Sequence, residues 1–481
     1  MLVEPNSAFP PPPANRRVFC NRTLNLRATL AIGYDMDYTL VHYREQEWEL
    51  RAYEHVRESL VQRGWPVEKL AFRADLMERG LVLDIELGNI LEANRFGYVK
   101  HAYHGTQPMD FREVREVYAR IIVDLAEPRF VFLNTLFSLS EGCLYAQLVD
   151  LLDQEALPTR PSLGYSELYK VVRHSLSQAH AEGQIKAEIA RDPDRFVVLD
   201  PETPLTLLDQ KRAGKRILLI TNSGWHYSRD IMSYAFDRFL PQGMTWKDLF
   251  DLTIVSARKP EFFSSAAPFF EVVDEEQGLL QPASTLQSGK NYVGGNANAV
   301  EHFLGLRGRE ILYVGDHIFG DVHVTKKLLR WRTALVLREL EREIEATQAF
   351  TEQQQQLTAL MAEKERLEFT LCQLRLARLR TDFDYGPRPE LTGDQLETTM
   401  ADLKENLAQL DRKISPLARE SAELSHPLWG PLMRAGNDKS LLTRQLERSA
   451  DIYTSRVSNL LYQTPYAYLR SGRSSMPHDP F

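Results

Sequence analysis

Short apolar runs, each closed at its carboxyl end by a polar cluster, constrain this chain more than any other feature. Leu30-Ala31-Ile32-Gly33-Tyr34 leads into Asp35, Arg216-Ile217-Leu218-Leu219-Ile220 into Thr221, and Glu310-Ile311-Leu312-Tyr313-Val314 into Gly315. A weaker run, Leu252-Thr253-Ile254-Val255, precedes Ser256 and Lys259. Strands buried on both faces of a parallel sheet have this near-continuous apolar character. Helical patterns lie between the runs, including Tyr227 to Phe239 and Ala297 to Leu304. The alternation predicts an α/β fold with a doubly wound parallel sheet. Ligands of such sheets collect at the carboxyl ends of the strands, where all four polar clusters fall.

The stretch from Asp37 to Thr221 is far longer than a crossover needs. It carries helical patterns at Trp48 to Leu60 and Tyr165 to Ile189, and a hairpin pattern near Gly88 to Tyr98. We read 44–199 as an inserted cap, partly core, between the segments 28–43 and 200–337 of a catalytic α/β core. Residues 338–481 read as a helical C-terminal region. There Leu396, Met400, Leu403, Leu407, Leu410 and Ile414 alternate spacings of four and three, a heptad seam. Leu360, Leu367, Leu371 and Leu374 repeat the register upstream, and Asp382 to Gly393 holds prolines and glycines that turn the chain. A helical hairpin follows, packed within the chain or offered to another subunit. Residues 1–27, with Pro10 to Pro13, read as a flexible leader.

Composition bounds the function classes. With 43% apolar and 26% charged residues, the 481-residue chain has an ordinary globular profile. A formal charge of -8 argues against broad binding to nucleic acid or an anionic membrane surface. No apolar run reaches the roughly 18 residues that a membrane span requires. The 3 cysteines, Cys20, Cys143 and Cys372, are sparse and show no zinc-ligand spacing, which suits a reduced, cytoplasmic compartment.

Each cluster offers a specific chemistry beside a plainer structural account. Asp35 and Asp37 are two apart on an extended segment, so both side chains address one ligand. One carboxylate can attack phosphorus while the other moves a proton; a turn-forming pair is the plainer account. Thr221, Asn222 and Ser223 offer neutral donors to phosphate oxygens, or a helix cap. Lys259 can neutralise a phosphoryl group and its nucleophile, or stand as a surface charge. Asp316 and Asp321, between Gly315 and Gly320, suit an oxygen-seeking cation such as Mg2+, or a tight turn. His317 between them reads as structural.

Together and in this order, the clusters resemble the four motifs of the haloacid dehalogenase superfamily of phosphohydrolases. The resemblance implies Asp35 as nucleophile, Asp37 as general acid then base, and Thr221 and Lys259 as phosphoryl holders. It implies Mg2+ bound by Asp35, Asp316 and the backbone carbonyl of Asp37, with Asp321 in support. The stretches GYDMDYTLVHY, RGLVLDIELGNIL, FLNTLF, LLITNS, ARKPEFF, ILYVGDHIFGDV and LYQTPYAYLRSG are similar to the cytosolic purine 5'-nucleotidase family that prefers IMP and GMP. Hydrolysis of a purine nucleoside 5'-monophosphate, with some phosphotransfer to nucleosides, is the implied activity.

Arg173, His180 and Lys186 fall on that family's substrate positions and Phe137 on the aromatic that packs against the base, while Asn222 and Ser223 join the substrate site as the phosphate donors read above. This chain departs at Ser177, where animal members carry an aspartate, and at Ala181, where they carry a tyrosine. Asn134, Phe319, Lys327, Gln445 and Arg448 match part of the family's activating purine nucleotide site, while Ser449 departs from its tyrosine. A homo-oligomer, dimer or tetramer, is the expected assembly. Two other readings remain open: a phosphatase of the same superfamily acting on another phosphomonoester, and a nucleotide-sensing scaffold.

Overall fold

The computed structural model describes residues 11–157, 163–181, 183–387 and 390–472. It separates into two compact units, one of residues 1–341 with 432–481 and one of residues 342–431.

The larger unit is built on a sheet whose strand order is Phe19–Cys20, Ile452–Thr454, Arg332–Val336, Ile311–Gly315, Ala31–Tyr34, Arg216–Ile220, Leu252–Val255, Lys290–Gly294, Phe269–Asp274, Leu279–Ala283. From Ile452–Thr454 to Lys290–Gly294 every pairing is parallel; the strands beyond either end pair antiparallel. The apolar runs of the sequence form its centre. Ala31–Tyr34, Ile311–Gly315 and Leu252–Val255 are buried along their whole length, as strands covered on both faces must be. Gly33 lies under the ring of Tyr313, and a Cβ there would stand 2.9 Å from Cδ2. That close approach accounts for glycine in an otherwise apolar strand.

The insert leaves and rejoins the core at one place. His42–Tyr43 pairs antiparallel with Val197–Val198, and Arg44 N donates to Phe196 O at 2.7 Å. It contains the helix Glu45–Gln62 and a five-stranded antiparallel sheet in the order Gln107–Pro108, Val99–His104, Asn89–Ala93, Val82–Asp84, Phe130–Phe132. It also holds the helices Phe111–Tyr118, Leu139–Asp153, Tyr165–Ala181, Gln184–Arg191 and Pro193–Phe196. The single helical pattern expected over Tyr165 to Ile189 is therefore broken. Gly183 supplies the break with φ of 69°, a left-handed conformation that glycine adopts without penalty. The hairpin expected near Gly88 to Tyr98 runs on to His104; the Asn94 side chain accepts from Phe96 N and Tyr98 N at its turn.

The smaller unit is an antiparallel pair of long helices, Thr351–Asp382 and Gly393–Ala422. Leu371 and Ala377 bury against Leu396 and Met400, and Leu357 against Leu410 and Ile414, the two faces of the heptad seam. Residues beyond 431 depart from the helical expectation by returning to the large sheet. Ile452–Thr454 is one of its strands, and Tyr468–Leu469 pairs with Leu24–Asn25. The leader departs as well, since Phe19–Cys20 closes one sheet edge. Both differences meet at Asp451, whose backbone carbonyl accepts from Asn21 N at 2.9 Å and Arg22 N at 3.0 Å. Buried Asp451 accepts from Thr333 N at 3.0 Å and ion-pairs with Lys326 at 2.7 Å and Arg332 at 3.4 Å, partners that a buried carboxylate must find and that no local pattern reveals.

Candidate active site

The carboxyl ends of the central strands converge as expected. Asp35 follows Ala31–Tyr34, Thr221 follows Arg216–Ile220, and Asp316 follows Ile311–Gly315. Lys259 sits in the loop after Leu252–Val255, braced by a reciprocal pair. Its N–H donates to Asn222 Oδ1 at 2.6 Å, while Asn222 Nδ2 donates to its carbonyl at 3.1 Å. Three residues presenting these groups hold left-handed backbone without being glycine: Tyr38 (φ 53°), Ser256 (φ 47°) and Arg258 (φ 60°). Such conformations cost on the order of 1–3 kcal/mol each and persist where surrounding packing enforces them.

At the centre, Lys259 Nζ lies 2.8 Å from Asp35 Oδ1 and 2.7 Å from Asp321 Oδ1. It also donates to Tyr313 Oη at 3.1 Å, and that hydroxyl donates to Ile220 O at 2.9 Å. Asp35 Oδ1 accepts from Met36 N at 2.8 Å as well. Burial pushes the Asp35 carboxyl up to about 7; Lys259 opposes the rise and Asp321 adds to it. Burial alone would lower the Lys259 ammonium, but Asp321 and Asp35 outweigh it and hold the group well above its ordinary range. Burial likewise raises Asp316, against the pull of the Arg79 guanidinium.

Asp35, Asp316 and Asp321 each present a carboxylate oxygen, and these oxygens lie within 4.8 Å of one another. Lys259 pairs with two of these three buried carboxylates, and hard oxygen donors at this spacing fit a hard divalent cation. Gly315 is required here, since its Cβ would fall 2.5 Å from Asp321 Oδ2. Asp321 Oδ2 also accepts from His317 N at 3.1 Å. The imidazole of His317 accepts from Gly320 N at 2.7 Å, a turn-holding role.

Asp37 occupies a separate hydrogen-bonding shell. Its Oδ1 accepts from Tyr43 Oη at 2.5 Å, its Oδ2 accepts from the Ser223 hydroxyl, and Lys186 Nζ stands 3.6 Å away. Tyr43 in turn meets Tyr227 Oη at 2.9 Å, and the Lys186 ammonium lies 4.8 Å from the centroid of the Tyr227 ring.

These groups line a cavity of about 530 Å³, with Trp48, Thr135, Phe137 and Lys186 forming further wall. Phe137 packs edge-on against Tyr38 and Trp48, at 4.8 and 5.2 Å between centroids. Of the residues predicted to read a base, Phe137 and Lys186 line the cavity. Arg173 does not: it is exposed on Tyr165–Ala181, where its charge bears on Tyr169 and Glu141. His180, Ser177 and Ala181 lie outside the residues whose side chains are described.

Of the effector candidates, Phe319 meets the rings of Phe132 and His323, each at 6.0 Å. Lys327 and Arg448 both bear electrostatically on His323. Gln445 is buried on the helix Leu441–Ser449, and Asn134 donates to Phe132 O at 3.3 Å.

Sequence reasoning missed Tyr43, Tyr227, Tyr313, Trp48, Thr135 and Arg79. Tyr313 alone had a visible signal, a polar-tipped aromatic inside an apolar strand run. The others reach the site only through packing.

With this geometry in view, a sequence model of the 5' nucleotidase family matches residues 18–480. The chain belongs to the 5' nucleotidase family. Its activity class is accordingly that of a 5'-nucleotidase, a phosphoric monoester hydrolase. It is 27% identical over 478 residues to a 5'-nucleotidase domain-containing protein of Dictyostelium discoideum, covering 96% of this chain and 74% of that one. It is also 27% identical over 474 residues to the Homo sapiens 5'-nucleotidase domain-containing protein 2, covering 94% and 83%. Among solved structures, a β-phosphoglucomutase from Pyrococcus sp. strain ST 04 overlaps with a TM-score of 0.28 at 10% identity, over 64% of this chain and 86% of that one. An overlap so slight carries no functional argument. Among the described residues, no helix is long and apolar enough to cross a membrane.

Proposed function

We propose that the chain hydrolyses purine nucleoside 5'-monophosphates, IMP and GMP first among them, through a phosphoaspartyl intermediate on Asp35. The observation that carries this reading is buried Lys259, shared by Asp35 and Asp321, beside a third carboxylate at the cavity floor. The contacts of Asp35 fall on Oδ1, so we assign Oδ2 to attack phosphorus. The Oδ2–P bond forms as P–O5' breaks, and Asp37 gives its proton to the leaving O5'. Water then attacks phosphorus and passes a proton to Asp37, releasing phosphate and restoring Asp35. A nucleoside 5'-hydroxyl in place of water gives phosphotransfer.

Lys259, Thr221 and Ser223 hold the phosphoryl oxygens, while Asn222 keeps Lys259 in place. Asp35 and Asp316, with Asp321 in support and the backbone carbonyl of Asp37, would hold Mg2+. The cation offsets the repulsion between a carboxylate and a phosphate dianion. Phe137 supplies a face for the base and Lys186 a donor.

One observation favours a second reading, another phosphomonoester. Lys186 is already engaged with Asp37 and Ser223, and Arg173 stands outside the cavity wall, so among the described residues base recognition is thinly provided. A panel of nucleoside monophosphates and sugar phosphates with Mg2+ separates the two. Preference for IMP and GMP supports the first reading, and equal or better turnover of pyrimidine nucleotides or sugar phosphates overturns it. Acid quenching during turnover should trap phosphate on the wild-type protein and none on Asp35→Asn. Trapped phosphate on Asp35→Asn would overturn the nucleophile assignment. We further assign Phe319, Lys327, Gln445, Arg448 and Asn134 to a purine nucleotide effector; a rate unmoved by ATP or GTP would remove that assignment. Cytoplasmic location and self-association remain parts of this reading, checked by fractionation and by solution mass.

A further inference from the structure

Asp316 is gripped by two side chains from outside its own sheet. Arg79 precedes the strand Val82–Asp84 and Thr135 follows Phe130–Phe132, adjacent strands of the insert that pair antiparallel with Val82 opposite Phe132. The ladder continues toward the cavity, Gly80 N donating to Leu133 O at 2.7 Å and Leu133 N to Leu81 O at 2.9 Å. The two residues therefore leave the same end of the insert's sheet side by side. Thr135 Oγ1 donates to Asp316 Oδ2 at 3.3 Å. Arg79 Nη1 donates to the backbone carbonyls of Asp316 at 3.2 Å and Val336 at 3.4 Å. The same guanidinium pairs with Glu339 at 2.8 Å, with side-chain exposures of 1% and 6%.

Burying an ion pair costs several kcal/mol per ion before the attraction returns it, and apolar residues often fill such a place as well or better. A buried Arg–Glu pair is thus weak evidence for stability, while Nη1 of the same guanidinium holds the backbone carbonyl of a cation-site carboxylate residue. Thr135 occupies one side of Oδ2, which restricts the directions from which that carboxylate can meet an ion. Partners of this kind orient metal-binding carboxylates, and their removal costs about 10–100-fold in metal affinity or activity.

We propose that Arg79 and Thr135 form a clamp by which the insert positions Asp316 for the divalent cation. The clamp rests on the cation site assigned under Proposed function, and the site is completed by the insert rather than by the α/β core alone. Neither residue touches the reacting atoms; both act through Asp316.

The test uses the full chain and Mg2+ alone, without nucleotide, followed as the Mg2+-dependent rise in melting temperature and by calorimetry. Thr135→Val removes the hydroxyl at constant size. The double variant Arg79→Met with Glu339→Leu removes both charges, so neither is left unpaired. Thr135→Val should bind Mg2+ about 10-fold more weakly and the double variant about 10–100-fold. The KM for IMP at saturating Mg2+ should move less than about twofold, since a lost positioning contact acts on the cation and not on substrate binding. Wild-type binding of Mg2+ with both variants unchanged overturns the clamp alone. A wild type that binds no Mg2+ overturns the cation site as well. Should the double variant fail to fold, Thr135→Val decides: unchanged Mg2+ affinity, or an equal loss for Mg2+ and IMP, overturns the proposal.

Discussion

Replacing Lys259 with Met tests the centre of the site, because the ammonium meets Asp35 at 2.8 Å, Asp321 at 2.7 Å and Tyr313 at 3.1 Å. Methionine fills most of the volume and leaves the carboxylates without their shared cation. Removing one partner of a buried ion pair costs about 3–5 kcal/mol when the other stays charged. Asp35 need not stay charged: burial already lifts it from 3.8 to about 7, which corresponds to about 4 kcal/mol of disfavoured ionisation. The sign follows. A carboxyl raised in the folded state binds more protons there than in the unfolded chain, so its contribution is present below pH 4 and lost as pH rises toward 7. Without Lys259 the carboxyl rises further and the losing window extends above 7.

Lys259→Met should therefore lose less melting temperature near pH 5, where Asp35 takes up a proton, than near pH 8.5; the loss of the Asp321 partner weighs at both. The comparison is made in EDTA so that no cation substitutes for the lysine. Activity on IMP should fall by about 10²–10³ in kcat/KM, the scale for losing one group aimed at developing charge. Calorimetric melts across pH and phosphate-release kinetics provide the assays. A variant within tenfold of wild-type kcat/KM would refute the role of Lys259. A stability deficit equal at both pH values would refute the electrostatic account of the cluster.

Gly315→Ala should cost about 1–3 kcal/mol, because its Cβ would lie 2.5 Å from Asp321 Oδ2; kcat should fall further than chemical denaturation midpoints suggest, as Asp321 is pushed off Lys259. Tyr43→Phe removes the hydroxyl that donates to Asp37 at 2.5 Å, and single-turnover kinetics should show the chemical step slowed by about tenfold, a loss of about 1.4 kcal/mol. Asp451→Asn deprives Lys326 and Arg332 of their counter-charge; both cations keep some solvent, so urea denaturation should register about 2 kcal/mol with kcat unchanged.

Much of the cavity floor was legible because strand-end chemistry is local. An apolar run buried on both faces announces its strand, and Asp35, Thr221, Lys259 and Asp316 each follow one within a few residues. The hairpin was legible for the same reason: a heptad seam is written along a single helix, and Leu371, Met400, Leu410 and Ile414 bury as their spacing requires. The two strands at one end of the large sheet were not. Phe19–Cys20 and Ile452–Thr454 are too short to carry a period and owe their pairing to partners distant in sequence.

What the sequence determined by itself was the order of four chemical clusters and the type of element that bears each. Apolar periodicity and turn chemistry act between near neighbours, so one strand and its loop suffice to specify them. Only the tertiary structure decided which groups share a lysine, that Tyr43 and Ser223 hold Asp37, and that Arg79 and Thr135 reach Asp316 from the insert. Those relations depend on the burial of charge. A buried carboxylate must find its partners wherever packing brings them, and no spacing along the chain records where that is.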